Sequence, residues 1–204
     1  MRIGVLGTGT VGQTLAAAFT RLGHDVVIGS RTPPATFGAA ASHGELVVNC
    51  TAGMHSLDAL RMSGADSLAG KVLIDVANPL DFSQGFPPRL SVADGDSLAE
   101  QIQREFPDAM VVKALNTVTA SVMVSPQSVA EPTDLFIAGD DDQAKQQVTS
   151  LLHELGWEPT RVRDLGGIAA ARLTEHYLLL WVALMGSLGT AEFNVRLVTA
   201  DPTA

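Results

Sequence analysis

Residues 1–29 read MRIGVLGTGTVGQTLAAAFTRLGHDVVIG. The apolar run at residues 2–6 predicts a buried strand, and the apolar spacing over residues 11–22 predicts a helix with one buried face. Gly23 follows that helix as a typical C-cap, and residues 25–29 have the pattern of a second strand. The stretch therefore predicts a strand–helix–strand unit in which a glycine-rich turn joins the first strand to the helix.

The turn itself, residues 7–12, has the sequence GTGTVG, which fits the pattern GxGxxG. Gly7 permits the tight turn, Gly9 lets the backbone approach a pyrophosphate, and Gly12 allows the helix to pack closely on the strand. The positive N-terminal end of the helix then faces the phosphates. Because the motif follows a strand, opens a helix and precedes a second strand, it predicts a dinucleotide-binding site.

The end of the second strand indicates which dinucleotide binds. NAD-binding folds usually carry an acidic residue there, which holds the ribose 2′-hydroxyl. This chain instead has Ser30, Arg31 and Thr32, and Asp25 lies at the other end of the strand. An arginine can bind a 2′-phosphate with two hydrogen bonds, and the two hydroxyls can add donors. The sequence therefore predicts that the cofactor is NADP(H).

The rest of the chain alternates strand-like and helix-like segments, which is typical of a parallel sheet with helices on both faces. Further strands are predicted at residues 45–49, 71–76, 110–115, 134–138 and 160–163, and further helices at residues 55–66, 97–106 and 141–155. We therefore expect an α/β fold of the Rossmann type, doubly wound and mostly parallel.

The segment after the second strand is unusually short. Only 14 residues, 31–44, separate Ser30 from Glu45, and a single crossover already needs about a dozen. We therefore expect the usual third strand to be absent, so that the second strand forms one edge of the sheet.

The last part of the chain has a different pattern. Residues 168–188 form one long apolar run whose second half has no polar face. A helix that is apolar all round has to be buried on all sides. We therefore expect an NADP-binding domain at residues 1–165 and a helical dimerisation segment at residues 166–204, with a second subunit covering the helix. The alternative is an ordinary core helix covered by residues 193–198.

Charge and cysteine content exclude several classes of protein. The 204 residues include 13 basic and 22 acidic side chains, a formal net charge of −9, which argues against a nucleic-acid or anionic-membrane surface. The single cysteine, Cys50, excludes a disulfide framework and a cysteine-rich zinc site, and no metal site is predicted. The longest apolar run, Tyr177–Met185, is shorter than the roughly 18 residues of a membrane span, and no signal peptide is visible. We expect a cytoplasmic protein.

Short turns follow three of the predicted strands, at the edge where open α/β sheets bind ligands. They contain Thr51, Ala52 and His55 after the strand at 45–49, Ala77, Asn78 and Pro79 after the strand at 71–76, and Asn116 and Thr117 after the strand at 110–115. The two asparagines could orient a nicotinamide or a substrate carbonyl. His55 lies at a predicted helix start, so it is either a cap residue or a general acid.

With these residues in place, the chain resembles the coenzyme F420-dependent NADP oxidoreductases over nearly its whole length. The similarity rests on GTGTVG at 7–12, GSR at 29–31, VVKALNTV at 111–118, IAGDDDQAKQQV at 137–148, the run at 167–175 and FNVRL at 193–197. The resemblance implies an NADP-dependent oxidoreductase with a small dimerising C-terminal part. It implies NADP contacts from Thr8, Thr10, Val11, Ser30 and Arg31. It also implies a deazaflavin or flavin co-substrate beside Asn78, Pro79, Asn116, Thr117, Val118, Leu188 and Gly189.

Two features depart from these reductases. The segment after Arg31 is much shorter, which leaves the adenine side more open, and no lysine follows Arg31 closely to help bind the 2′-phosphate. A shortened relative of this kind can therefore use an electron acceptor other than the deazaflavin.

Hydride transfer between two ring cofactors needs alignment more than acid–base groups, so no catalytic side chain is predicted. One alternative is an NADPH-dependent reductase of a carbonyl, imine or ferric acceptor, in which His55 or Tyr177 would have to supply any proton. Another is a non-catalytic NADP(H)-binding sensor that acts through its dimer.

Overall fold

A computed structural model of the chain describes residues 1–92 and 95–200. The strands are β1 (Arg2–Leu6), β2 (Asp25–Gly29), β3 (Leu46–Asn49), β4 (Val72–Asp75), β5 (Leu80–Asp81), β6 (Arg89–Leu90), β7 (Met110–Ala114), β8 (Leu135–Gly139) and β9 (Val162–Asp164). The helices are α1 (Thr10–Arg21), α2 (Phe37–His43), α3 (Ser56–Ser63), α4 (Ala65–Leu68), α5 (Leu98–Glu105), α6 (Ala120–Val124), α7 (Asp142–Glu154) and α8 (Ala171–Leu188).

Seven strands form one sheet in the order β2-β1-β3-β4-β7-β8-β9. β8 runs antiparallel to β7, and the other pairings within this sheet are parallel. Hydrophobic cores lie on both faces. One contains Leu15 and Phe19 of α1 and Leu151 of α7, and the other contains Leu60 of α3 and Ile102 of α5. The predicted doubly wound, mostly parallel α/β fold is confirmed.

β2 forms one edge of the sheet, and the described residues between β2 and β3 form no paired strand beyond an isolated bridge from Ser30 to Thr36. The crossover is the seven-residue helix α2. It packs so closely on β1 that a Cβ on Gly4 would lie 2.1 Å from the carbonyl oxygen of Ala40. The predicted loss of the third strand is confirmed, and Gly4 is what allows so short a crossover to close.

The direction of β8 follows from its connection. The chain leaves β7 at the carboxyl edge of the parallel strands, forms α6 there, and enters β8 from the same edge, with Ala114 opposite Ile137. The sequence predicted this strand but not its direction. As a result, α6 lies beside the turns that follow the parallel strands.

Two local features differ from the sequence-based expectation. The helix expected over 55–66 is divided into α3 and α4, because Gly64 between them adopts a φ of +82°. The β5–β6 hairpin was not predicted, since strands of two residues carry too little alternation to be recognised.

Helix α8 packs one face on the domain and exposes the other. Leu178 and Val182 are buried, whereas Leu173 and Leu180 are 66% and 54% exposed. Ile168–Leu188 is also long and apolar enough, by length and composition alone, to cross a membrane, although the core helices of globular proteins pass the same test. In the sequence, only the uninterrupted apolar run Tyr177–Met185 was compared with a membrane span, so it was not recognised that the whole helix has the length and composition of one.

The segment after α8 returns along one side of that helix. The ring of Phe193 stacks on Trp181 with a centroid distance of 5.3 Å, and the carbonyl of Val195 accepts a hydrogen bond from the backbone N–H of Asp134. The segment therefore covers the Trp181 side of α8 and leaves the Leu173 and Leu180 face open. The last four residues of the predicted 166–204 unit lie outside the described residues.

Candidate active site

Close backbone contacts shape the glycine loop between β1 and α1. Gly7 has a φ of +114°, and a Cβ there would lie 2.8 Å from the carbonyl oxygen of Cys50. A Cβ on Gly12 would lie 2.1 Å from the carbonyl oxygen of Gly7, so α1 packs directly on the turn. At Gly9, by contrast, a Cβ would meet no atom within 4 Å. The loop is closed toward the protein and open on the side where a pyrophosphate is predicted.

A cavity of about 230 Å³ opens beside this loop, and we call it the glycine-loop cavity. Its lining residues are Gly7, Thr8, Gly9, Arg31, Phe37, Cys50, Thr51, Ala52, His55, Asp58, Ala59 and Met62. The structure thus brings Arg31 to the same cavity as the loop, as the NADP prediction requires. The Ser30 hydroxyl was predicted as a donor to the 2′-phosphate, but here it donates to the carbonyl of Thr32 at 2.6 Å and accepts from the N–H of Thr32. That hydroxyl shapes the turn that presents Arg31.

Two titratable side chains in the glycine-loop cavity add to the sequence interpretation. His55, predicted as either a cap residue or a general acid near the substrate, is exposed in this cavity, because residues 53–55 form a 3-10 turn that leads into α3. Asp58 was not singled out at all. Its carboxylate accepts a hydrogen bond from Arg61 at 2.8 Å. It lies within α3 rather than at a strand end, so the strand-end rule could not find it.

A second cavity of about 350 Å³, the central cavity, lies at the carboxyl edge of β1, β3, β4 and β7. Its lining residues are Thr10, Val11, Cys50, Thr51, Ala52, Gly53, Val76, Ala77, Asn78, Asn116, Val118, Thr119, Ala120, Met123, Leu178 and Trp181. The two cavities share Cys50, Thr51 and Ala52, so they lie next to each other along the sheet edge, and we call the pair the cleft. The sequence predicted no helix at α6, and in α8 it placed the substrate contacts at Leu188 and Gly189 rather than at Leu178 and Trp181.

Asn78 and Asn116 bind each other across the central cavity wall. Asn78 Nδ2 donates to the backbone carbonyl of Asn116 at 2.8 Å, and Asn116 Nδ2 donates to Asn78 Oδ1 at 2.9 Å. Asn116 Oδ1 is buried and has no hydrogen-bond partner among the described residues. The preceding Leu115 has a φ of +63°, a conformation that costs of order 1 kcal/mol or more and often marks a functional turn. The two turns therefore form one rigid unit.

Thr51, which lines both cavities, is fixed by a polar network. Its Oγ1 donates to Asn49 Oδ1 at 2.7 Å and lies 2.8 Å from Ser56 Oγ. Asn49 Nδ2 in turn donates to Asp75 Oδ1 at 2.8 Å. The end of β3 is thus tied to the end of β4 beneath the cleft.

Three buried charged residues beneath the central cavity were not recognised from the sequence: Asp75, Lys113 and Glu175. Lys113 Nζ donates to Asp75 Oδ2 at 2.8 Å, to Glu175 Oε1 at 2.8 Å and to the backbone carbonyl of Ala77 at 2.5 Å. Their side chains are 0%, 1% and 2% exposed. Burial alone would lower the pKa of Lys113, but the two carboxylates outweigh it and raise that pKa above its usual value.

Glu175 also joins the C-terminal helix to the rest of the domain. Its Oε2 accepts a hydrogen bond from the N–H of Leu98 at 2.9 Å, and its Oε1 accepts one from the N–H of Ala99 at 3.2 Å, at the start of α5. The cluster therefore connects the ends of β4 and β7 with α5 and with α8. Leu178 and Trp181 of α8 lie one and two turns beyond Glu175 and form part of the central cavity wall.

Cys50 lies where the two cavities meet. Burial strongly raises the pKa of its thiol, and the negative charge of Asp75 raises it further. The thiol is therefore neutral near pH 7 and is a poor nucleophile.

Several predicted residues do not reach either cavity. Leu188 and Gly189 lie at the end of α8, and a rise of about 1.5 Å per residue puts Leu188 roughly 10 Å beyond Trp181 along the helix. Thr117 and Pro79 are buried behind the lining, and Tyr177 does not contribute to it. Tyr177 and His55 were the candidate proton donors for a carbonyl or imine reductase, and neither lines the central cavity.

The residues present fit NADP(H). The open space above Gly9 would receive the pyrophosphate. No side chain of the described residues caps the N-terminus of α1, so the N–H groups of its first turn are left to bind it. Arg31 lies at one end of the cleft for the 2′-phosphate, and the central cavity at the other end has room for the nicotinamide. Among the described residues, no group of three or more His, Cys, Asp or Glu side chains could hold a metal ion.

Comparisons with known proteins agree with this geometry. A family model described as NADP oxidoreductase coenzyme F420-dependent matches residues 2–51. A solved structure from Arthrobacter sp. FB24, provisionally described as an F420-dependent NADP-reductase, is 47% identical, with a TM-score of 0.94 over 98% of this chain and 100% of that one.

Two curated proteins extend the comparison. The F420-dependent NADP reductase of Methanothermobacter marburgensis is 28% identical over 211 residues, which cover 90% of this chain and 92% of that protein. The metalloreductase STEAP3 of Rattus norvegicus is 30% identical over 190 residues, which cover 85% of this chain and 36% of that protein. The chain thus spans about a third of the length of the metalloreductase.

Proposed function

This chain belongs to the family of coenzyme F420-dependent NADP oxidoreductases, and on that premise we propose that it transfers a hydride between NADPH and a deazaflavin- or flavin-type ring. It is an NADP-dependent oxidoreductase. The nature of the acceptor and its place in the central cavity are the parts that we propose.

The observation that carries the proposal is the composition of the central cavity wall. The described residues that line it include no Lys, Arg, His, Asp, Glu or Tyr, and the one titratable group among them is the half-buried, neutral Cys50 thiol. Reduction of a carbonyl or an imine needs a proton donor near the reacting atom, whereas hydride transfer to a flavin-type ring needs contact between two rings. The wall therefore favours a ring acceptor.

In this proposal the protein binds and aligns. The glycine loop and the start of α1 hold the pyrophosphate, and Arg31 binds the 2′-phosphate. NADPH supplies the hydride when bound. Asn78 and Asn116, fixed by their mutual hydrogen bonds, orient the ring that enters the central cavity. Apolar side chains such as Leu178 and Met123 keep water from the reacting atoms.

A second candidate acceptor is a ferric complex, reduced directly or through a flavin. It is favoured by the 30% identity to a protein named for metal reduction, over a region that makes up 36% of that protein. Because the remaining part of the metalloreductase has no counterpart in this alignment, the ring acceptor is the stronger proposal.

We also propose that the protein is a cytoplasmic homodimer paired through α8. Leu173, Leu180 and Leu188 are more than half exposed, and their spacing of seven and eight residues places them along one stripe of the helix. A second copy can cover such a stripe by a self-complementary contact about a two-fold axis. The single, unpaired cysteine suits a reducing compartment. Residues 1–165 would then serve as the NADP-binding part and the segment after them as the dimerising part.

An anaerobic acceptor panel tests the proposed activity. NADPH oxidation would be followed with a deazaflavin, with FMN and FAD, and with ferric complexes added alone or together with a flavin. Turnover with the deazaflavin or a free flavin supports the proposal. Turnover with ferric complexes alone would favour the second candidate, and NADPH binding without any turnover would favour a sensor.

A further inference from the structure

The buried cluster of Asp75, Lys113 and Glu175 carries an excess of negative charge, since one ammonium faces two carboxylates. At each carboxylate, every hydrogen bond that the structure shows is accepted by the oxygen. The donors are Lys113, Asn49 and the N–H of Ala77 at Asp75, and Lys113 with two backbone N–H groups at Glu175. All of these donors are nitrogens, and oxygens that only accept hydrogen bonds are what two carboxylates require. The formal charge of the cluster is −1.

This charge lies in a medium that screens it poorly, because all three side chains are at most 2% exposed. The N-terminal end of α5 faces Glu175 and offsets part of the charge, at most about half a unit. A net negative potential is therefore left at the centre of the domain.

The central cavity lies directly against this cluster. Ala77 is a lining residue, and its backbone donates to Asp75 and accepts from Lys113. Cys50, which follows the Asn49 that pairs with Asp75 on the neighbouring strand, also lines the cavity, and there burial raises the pKa of the thiol and the charge of Asp75 raises it further. The negative potential thus extends into the space proposed for the nicotinamide.

When a dihydronicotinamide gives up a hydride, one proton and two electrons leave C4 together, and the ring changes from neutral to singly positive. The flavin-type acceptor receives the hydride. We propose that the excess charge of the Asp75, Lys113 and Glu175 cluster stabilises the oxidised, cationic nicotinamide, and so makes bound NADPH a stronger hydride donor. The inference rests on the proposed function, because it assumes that the nicotinamide enters the central cavity.

The direct consequence concerns binding. The cluster tightens NADP⁺ relative to NADPH, so removal of one negative charge should raise the ratio of the dissociation constant of NADP⁺ to that of NADPH. A damaged cavity would weaken both forms together and leave the ratio unchanged. The ratio therefore separates an electrostatic role from a structural one.

Three variants test the inference without any acceptor present. Glu175→Gln and Asp75→Asn each remove one negative charge, and Glu175→Asp keeps the charge while it disturbs the geometry. NADPH affinity would be measured by fluorescence titration and NADP⁺ affinity by competition, with folding checked by circular dichroism. We expect the ratio to rise about three- to tenfold in the two charge-removing variants and to stay within about twofold of wild type in Glu175→Asp.

An unchanged ratio in a folded Glu175→Gln or Asp75→Asn protein would overturn the inference. So would an equal change in Glu175→Asp, because the effect would then follow geometry. If one charge-removing variant does not fold, the other decides, since the two residues lie on different elements. Failure of the proposed function looks different: the wild-type protein would bind neither form, or would bind both and reduce no ring acceptor.

Discussion

Replacing Lys113 by methionine should destabilise the fold strongly. Methionine has a similar length and removes only the ammonium. Asp75 and Glu175 would then face each other as buried carboxylates without a cation, although both are nearly inaccessible to solvent. The backbone carbonyl of Ala77 would also lose its donor.

Breaking a buried ion pair by removal of one partner costs about 3–5 kcal/mol. For a chain of this size, each kcal/mol lowers the melting temperature by about 2–4 °C, so the variant should melt roughly 6–20 °C below wild type. Urea unfolding at pH 7, followed by the fluorescence of Trp157, which is buried, and Trp181, measures the free energy of unfolding. The midpoint should fall while the slope of the transition stays unchanged.

Lys145→Met is the matched control. Lys145 is also buried, with its side chain 9% exposed, but its partners Asp142 and Asp164 are 85% and 49% exposed. These carboxylates can be solvated without their lysine, so the loss should be below about 1 kcal/mol. Equal losses in the two lysine variants would show that the cluster around Lys113 is not special, and would refute the reasoning.

The pH dependence has a definite sign. Because the pKa of Lys113 is raised above 10.5 in the folded protein, the stability that its charge contributes is complete below the unfolded pKa. It is lost as the pH rises through the folded pKa. The difference in unfolding free energy between wild type and Lys113→Met should therefore be constant near neutral pH and shrink above about pH 10.5.

Three further predictions concern the cofactor and the assembly. Arg31→Ala should weaken NADPH binding by about 1.5–3 kcal/mol and leave NADH nearly unchanged, so equal losses for both in a titration would remove Arg31 from the 2′-phosphate site. Gly9→Val should fold normally, because a Cβ there meets no protein atom, but it should lose NADPH affinity. Gly12→Val should fail to fold, because its Cβ would overlap the carbonyl of Gly7. Thermal melting with and without NADPH distinguishes the two variants. Leu180→Lys should convert the proposed dimer to a monomer in sedimentation, and a wild-type monomer at micromolar concentration would contradict the proposed pairing.

The dinucleotide-binding half could be predicted because its signals are local. The spacing of Gly7, Gly9 and Gly12, the Ser30–Arg31 pair and the 14-residue limit on the crossover each lie within a short stretch of chain. Bond geometry and chain length decide these features almost alone. The structure brings Arg31 to the cavity beside the glycine loop as expected, whereas the Ser30 hydroxyl bonds the backbone of Thr32.

The buried cluster of Asp75, Lys113 and Glu175 beneath the central cavity could not be predicted in the same way. Lys113 lies 38 residues from Asp75 and 62 from Glu175, so only the fold brings the three charges together. A signal was nevertheless present. A lysine inside the apolar run MVVKAL of a strand buried on both faces has to have a charged partner, and that requirement pointed to a buried cluster.

The end of the cleft at which His55 lies could not be predicted, for a related reason. The rule that strand ends bind ligands identifies an edge of the sheet, but not the end of the cleft that a residue faces. The 3-10 turn that leads into α3 places His55 in the same cavity as Arg31. Replacing His55 by alanine should therefore affect NADPH binding more than the rate of hydride transfer.

The central claim is that NADPH gives its hydride directly to a ring held against the nicotinamide. NADPH with deuterium at either face of C4 would be mixed anaerobically with the protein and a deazaflavin in ordinary water, and the reduced deazaflavin analysed by mass spectrometry. The account predicts that one of the two labelled forms delivers one deuterium per molecule of product, because the new bond is to carbon and does not exchange with water. Reduced product without deuterium from either form would contradict direct transfer.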